Sequence, residues 1–185
     1  YGLGENIELR FNQSVQQNRF RLNGETTADD GVDFAPTSLG VKWRLVKDKK
    51  NWPDIAILAN YGNSILTDNG SGSVVDFSLL FNSTVFRDVS FDYNLGIILE
   101  NEFNIRTFTY AFVLAKMLNE KLGGFFELYG SQTEELNALV NVDMGLTYLV
   151  SNTFQLDVYA GTGFSDLSPN IMFGLGISKL FLPRE

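Results

Sequence analysis

The stretch Val140-Asn141-Val142-Asp143-Met144-Gly145-Leu146-Thr147-Tyr148 alternates apolar residues with polar or small ones without a break. A β-strand sends successive side chains to opposite faces, so this segment has one greasy face and one charged or small face. Phe154-Gln155-Leu156-Asp157-Val158-Tyr159-Ala160-Gly161 repeats the pattern, as do Ile7-Glu8-Leu9-Arg10-Phe11-Asn12 and Leu39-Gly40-Val41-Lys42-Trp43-Arg44-Leu45. Repeated along the chain with turn residues between, this is the pattern of a transmembrane β-barrel, with lipid outside and a polar lumen inside. A soluble barrel needs the reverse, an apolar interior and a wet exterior. The polar members include Asp, Glu, Lys and Arg, which an apolar core could hardly hide unpaired. The fold class expected is therefore all-β, an antiparallel up-and-down transmembrane β-barrel.

Composition agrees with this. The 185 residues fit one domain on the usual size range, and 16 Phe, 7 Tyr and 2 Trp make an aromatic-rich chain, as interfacial girdles require. A mean hydropathy of -0.02 looks soluble, but alternation averages a lipid face against a polar one. No apolar run approaches the roughly 20 residues of a spanning helix. Cysteine is absent, which removes disulfides and thiolate metal sites, and the net charge of -8 argues against nucleic acid as a partner. Histidine is absent too. Ser-His hydrolysis, His-dependent acyl transfer and most zinc chemistry lose their essential group, so an enzyme, including a lipid-modifying one, is not expected.

The alternation predicts strands over Ile7–Asn12, Ser38–Val46, Asp54–Tyr61, Val74–Asn82, Val89–Leu99, Ile105–Leu118, Gly123–Gly130, Leu139–Val150, Phe154–Gly163 and Asn170–Phe181. Connections at Lys47–Pro53, Ser83–Asp88, Asn119–Lys121 and Ser151–Thr153 are short, as periplasmic turns are. Those at Gln13–Thr37, Gly62–Ser73 and Phe164–Pro169 are longer, as outer loops are. Asn23–Asp33 and Thr67–Gly72 read as mobile, solvated loop. Tyr1–Asn6 reads as a turn into the first strand. Since such barrels have even strand numbers and no free edges, an upstream hairpin is expected, giving roughly twelve strands in the full chain.

On this parity the lumen receives Glu8, Arg10, Lys42 and Arg44 from the first two strands and Asp76, Asp92, Glu127, Asp143 and Asp157 from later ones. The basic groups share one wall and the carboxylates spread around the other. That arrangement suits either a transverse field acting on a passing solute or a paired network that fills a narrow barrel. Arg44 or Arg10 is expected to meet an inward carboxylate, with Glu8 and Glu127 the first candidates. Inward Gly40, Gly96, Gly145, Gly161, Gly174 and Gly176 either leave space or permit close packing. Outward Trp43, Tyr61, Phe81, Tyr93, Tyr110, Phe126, Tyr148, Phe154 and Phe181 are expected to form an aromatic girdle near the strand ends. Asp68-Asn69-Gly70 lacks the spaced ligands and closing Glu of a calcium loop, so no metal or cofactor is expected.

The runs Ser38-Leu39-Gly40-Val41-Lys42-Trp43-Arg44-Leu45, Gly124-Phe125-Phe126-Glu127-Leu128-Tyr129-Gly130, Gln155-Leu156-Asp157-Val158-Tyr159-Ala160-Gly161-Thr162-Gly163 and Gly174-Leu175-Gly176-Ile177-Ser178 resemble, in order and spacing, the family of outer-membrane transporters labelled "MetA-pathway of phenol degradation". The resemblance spans most of the chain. It implies an outer-membrane barrel of a Gram-negative bacterium, its signal peptide removed, that passes a small, hydrophobic or aromatic solute. It also implies further strand upstream of Tyr1. The chain departs from the usual barrel ending, because Leu182-Pro183-Arg184-Glu185 follow Phe181, where a terminal aromatic is normally read by the insertion machinery. The partners expected are outer-membrane lipids, a small solute and other outer-membrane proteins. The rival function is a non-conducting accessory barrel within a larger outer-membrane complex.

Overall fold

In a computed structural model the described residues are 1–13, 15–22, 25–34, 37–63, 73–86, 88–100, 105–134, 136–165 and 168–181. They hold twelve strands and no helix: β1 (Ile7–Asn12), β2 (Val15–Leu22), β3 (Glu25–Phe34), β4 (Thr37–Val46), β5 (Asp54–Asn63), β6 (Ser73–Phe86), β7 (Val89–Glu100), β8 (Ile105–Met117), β9 (Leu122–Thr133), β10 (Leu139–Ser151), β11 (Phe154–Gly163) and β12 (Met172–Lys179). Ten of these form one antiparallel up-and-down sheet in the order β1-β4-β5-β6-β7-β8-β9-β10-β11-β12. Strands β1 and β11 have the bounds expected from alternation, and most others differ by one to three residues at an end. The larger difference is at β6, which continues to Phe86 and leaves a two-residue connection at 87–88. Asp88 there adopts φ 70°, a left-handed conformation that Asp tolerates better than most residues.

The stretch 13–37 holds a hairpin rather than a plain loop. Strands β2 and β3 pair as a separate two-stranded sheet, with Leu22 opposite Glu25. The connecting sequence is Asn23-Gly24, the dipeptide that most favours a tight hairpin turn. Polarity alone suggested loop, and the turn signal outweighs it. The segment Thr67–Gly72, with Asp68-Asn69-Gly70, lies outside the described residues.

Tyr1–Asn6 does turn into β1, and it also pairs back on it. Leu3 N donates to the Ile7 carbonyl (2.8 Å) and Leu9 N to the Tyr1 carbonyl (2.7 Å), so Tyr1–Leu3 runs antiparallel along part of β1. Strands β1 and β12 are not paired with one another, so the sheet is curled but not closed. The curl is tight. Tyr129 Oη on β9 donates to Met172 Sδ on β12 at 3.2 Å, although two strands lie between them. Across a flat sheet, strands three apart would be about 14 Å from each other. At one end, Leu180 and Phe181 line the same cavity of about 750 Å³ as Tyr1, Ile7, Lys42 and Arg44.

There is no conventional core. Among the described residues the only apolar side chain buried below a tenth is Ala56, whereas Met144 is 62% and Leu175 87% exposed. The turns are held locally. Asn119 Oδ1 accepts from Lys121 N (2.9 Å) and Leu122 N (2.8 Å) and so closes the β8–β9 connection. Asn119→Ala should cost about 1 kcal/mol of folding free energy, read from reversible urea unfolding in bilayers.

Candidate functional site

Directly paired residues share a face, so the register assigns every strand position without reference to the sequence pattern. From Glu8↔Lys42 and Arg10↔Gly40 the ladder runs through Gly40↔Asn60, Asn60↔Asp76 and Ser78↔Gly96, then Asn82↔Asp92 and Asp92↔Val113. It continues through Val113↔Glu127, Glu127↔Asp143, Asp143↔Gly161, Thr147↔Asp157 and Asp157↔Gly176. Arg44 follows Lys42 by two residues on β4. Glu8, Arg10, Lys42, Arg44, Asp76, Asp92, Glu127, Asp143 and Asp157 thus fall on one face. A cavity spanning Ser78 on β6 to Tyr159 on β11 shows that this face is concave.

The convex face is apolar from β1 to β12. Among the described residues its charged members are Arg106, Lys116 and Lys179, each at or next to an end of its strand. The rest of its described residues are Leu, Val, Ile, Met and Ala and the aromatics Phe, Tyr and Trp, with a few Gly, Ser, Thr and Gln.

The concave face has a basic and an acidic lobe. Arg10, Lys42 and Arg44 line a cavity of about 560 Å³ together with Asp54 and Asp92. Glu127 and Asp143 line a second one of about 640 Å³. The two lobes share Ser78 and Asn94. Arg10 Nε pairs with Glu8 Oε1 at 3.3 Å, one of the two contacts foreseen. Both side chains are about 40–46% exposed, so the pair contributes about 0–1 kcal/mol. Arg44 Nη1 instead donates to the Glu5 carbonyl at 3.3 Å, and Glu127 meets no basic group among the described residues, because it lies in the other lobe. Asp76 accepts from Asn60 Nδ2 (2.9 and 3.1 Å), and Asp92 accepts from Asn82 Nδ2.

The glycines of this face serve packing. A methyl group on Gly40 would strike the Asn60 side chain, one on Gly145 the Phe125 ring, one on Gly174 the Tyr159 ring, and one on Gly176 the Asp157 carboxylate. In each case a side chain from the paired strand lies across the glycine, and the concave surface is thereby filled and smoothed.

The aromatic residues Trp43, Tyr61, Phe81, Tyr93, Tyr110, Phe126, Tyr148 and Phe154 all lie on the convex face by register, and Phe181 follows β12. Tyr148 and Phe154 sit beside the β10–β11 turn, where Lys179 Nζ stands 5.9 Å from the Phe154 ring centre. Phe81, Tyr93 and Tyr110 do not sit at strand ends. Phe81 stacks on Tyr93 (4.5 Å between ring centres), Tyr93 on Phe91 (5.4 Å), and Phe91 on Phe112 (6.3 Å). Tyr110 is 6.0 Å from Phe112, so a ladder crosses the middle of β6, β7 and β8. The cause is register: Phe81, Tyr93 and Phe112 are successive cross-strand partners.

Sequence reasoning passed over Asn60, Asn82, Asn94, Phe125, Tyr129, Asn141 and Tyr159, which the strands place beside the charged groups. Their parity was readable, since each stands an even number of positions from an inward charge or glycine on its own strand. Their uncharged side chains gave no other signal.

No curated protein matches the chain. A family model described as "Putative MetA-pathway of phenol degradation" matches residues 1–181. The chain belongs to that family.

Proposed function

We propose that this protein is an outer-membrane β-barrel wall whose concave face lines a route for passive passage of a small solute, without enzymatic chemistry. The observation that carries the reading is the separation of the two faces over all ten sheet strands. The convex face keeps its charges within a residue of strand ends, and the concave face gathers eleven charged residues of the described strands, Asp54 and Glu100 among them, and two adjoining cavities. In water, so continuous an apolar surface would far exceed the few hundred Å² that a soluble monomer exposes. In a bilayer it is the required outer surface: ten residues of tilted strand span about 25 Å of hydrocarbon. The family's name supports an aromatic or hydrophobic solute.

A non-conducting accessory barrel is the second reading. It draws on the side chains laid across Gly40, Gly145, Gly174 and Gly176 and on the Glu8–Arg10, Asn60–Asp76 and Asn82–Asp92 contacts, which fill the concave face. Single-channel recording of the full-length protein in planar bilayers separates the two. Discrete steps support passage, and a silent barrel that co-purifies with fixed partners supports the accessory role. Arg44 lines the basic lobe, so in a conducting barrel Arg44→Ala should shift the reversal potential in a salt gradient toward cation selectivity. An unchanged potential would place Arg44 off the route.

A further inference from the structure

The acidic lobe is built from four polar residues in two facing pairs. Glu127 stands directly opposite Asp143, and Tyr129 opposite Asn141, on β9 and β10. The strands on either side withhold partners. Toward β11, Asp143 faces Gly161 and Asn141 faces Gly163, and toward β8, Glu127 faces Val113 and Tyr129 faces Ala111. Asn141 and Asp143 are each only 7% exposed, and the Oδ1 atoms of both are buried with no hydrogen-bond partner. Both line the cavity. An orphaned acceptor at such burial costs about 1–3 kcal/mol, so one would ordinarily expect a donor from a neighbouring strand; here β11 offers glycine at both facing positions, and on β9 Glu127 is itself a carboxylate and Tyr129 Oη donates to Met172 Sδ.

The lobe therefore offers acceptors and negative charge, with no Lys or Arg among its described lining residues. Its walls are aromatic, contributed by Phe125, Tyr129 and Tyr159. Among the described residues there is no cluster of three or more carboxylates that would hold a metal ion. Two carboxylates, an amide oxygen and electron-rich rings are instead the complement of an organic ammonium group, which brings several N–H donors, a positive charge and an apolar body. The cavity, about 640 Å³, is large enough for a single-ring molecule.

We infer that the lobe between Glu127, Asp143 and Asn141 is a binding site for small organic ammonium ions, with the ring of an aromatic amine held against Phe125, Tyr129 and Tyr159. The site rests on the concave face being accessible to solute, as the passage reading requires, but its occupancy is measured without any current. It gives that reading a substrate class: cationic amines are retained in the acidic lobe, whereas neutral aromatics cross without a charged partner.

The test is calorimetric titration of the full-length protein, folded in detergent micelles, with benzylammonium chloride, and with benzyl alcohol and benzoate as neutral and anionic counterparts. Benzylammonium should bind saturably, and benzyl alcohol about tenfold or more weakly, since it forgoes the charge-assisted hydrogen bonds. Glu127→Gln combined with Asp143→Asn keeps the shape and removes the charge, and should weaken benzylammonium by about tenfold or more. Asp157→Asn, on the same face but outside the cavity, should leave binding unchanged and reports that a charge-neutralised barrel still folds. Equal affinity for benzylammonium and benzyl alcohol, unaltered binding in the double variant, or no saturable binding of benzylammonium to the folded protein would each overturn the site. A silent barrel that binds benzylammonium removes the passage reading and keeps the site, and a conducting barrel that fails to bind does the reverse.

Discussion

Replacing Leu146 by Arg should lower the stability of the folded protein in bilayers by about 2–4 kcal/mol, while Thr147→Arg one residue away costs much less. Leu146 sits near the middle of β10 on the convex face, between Gly124 and Val158. Thr147 shares its depth but faces the concave side, directly opposite Asp157, which would supply a carboxylate to the new guanidinium. The two variants add the same side chain at the same depth, so helix or strand propensity, net charge and expression burden are matched between them. Reversible folding into vesicles gives both numbers. Equal costs would mean that the two faces meet the same medium.

The second large effect concerns close packing on the concave face. A methyl group at Gly145 would press on the backbone carbonyl of Val158 and on the Phe125 ring, and the first of these cannot rotate away. Gly145→Ala should therefore cost about 1–3 kcal/mol through overpacking. Gly124, on the adjacent strand, provides the control. Its nearest neighbours would stand 3.7–3.8 Å from an added methyl, ordinary contact distances, so Gly124→Ala should be close to neutral. A neutral Gly145→Ala would show that the glycines of this face leave open space rather than accommodate side chains.

Both predictions depend on parity, which is the part of the structure that is plain in the sequence. Val140 to Tyr148 alternates so strictly that a slip of one residue would expose Asp143 to the apolar side, so strand existence, direction and facing follow from the pattern. The hairpin β2–β3 was less visible because its residues are polar, and only Asn23-Gly24 marks it. The partners of the charged groups were hidden for a different reason. Whether Glu127 meets Asp143 or Arg10 depends on strand register and on how tightly the sheet curls, and neither leaves a trace in a single strand's composition. The same holds for the aromatic ladder of Phe81, Tyr93, Phe91, Phe112 and Tyr110, which exists because three strands align their rings, not because any one strand is unusually aromatic. The expectation of a rim at the strand ends fits Tyr148 and Phe154 and fails for the ladder.

The central claim is that the apolar face meets hydrocarbon and the charged face does not. The chain has no cysteine, so single-cysteine variants each carry one nitroxide label without further engineering. Labels at Phe91, Val142 and Leu156 should relax chiefly with oxygen, which concentrates in the bilayer, and labels at Asp92, Asp143 and Asp157 chiefly with a water-soluble nickel chelate. Each pair consists of adjacent residues at nearly one depth, so the accessibility ratio should alternate from one residue to the next. Oxygen-dominated relaxation at Asp143 and Asp157, or no alternation within the pairs, would contradict the outer-membrane barrel.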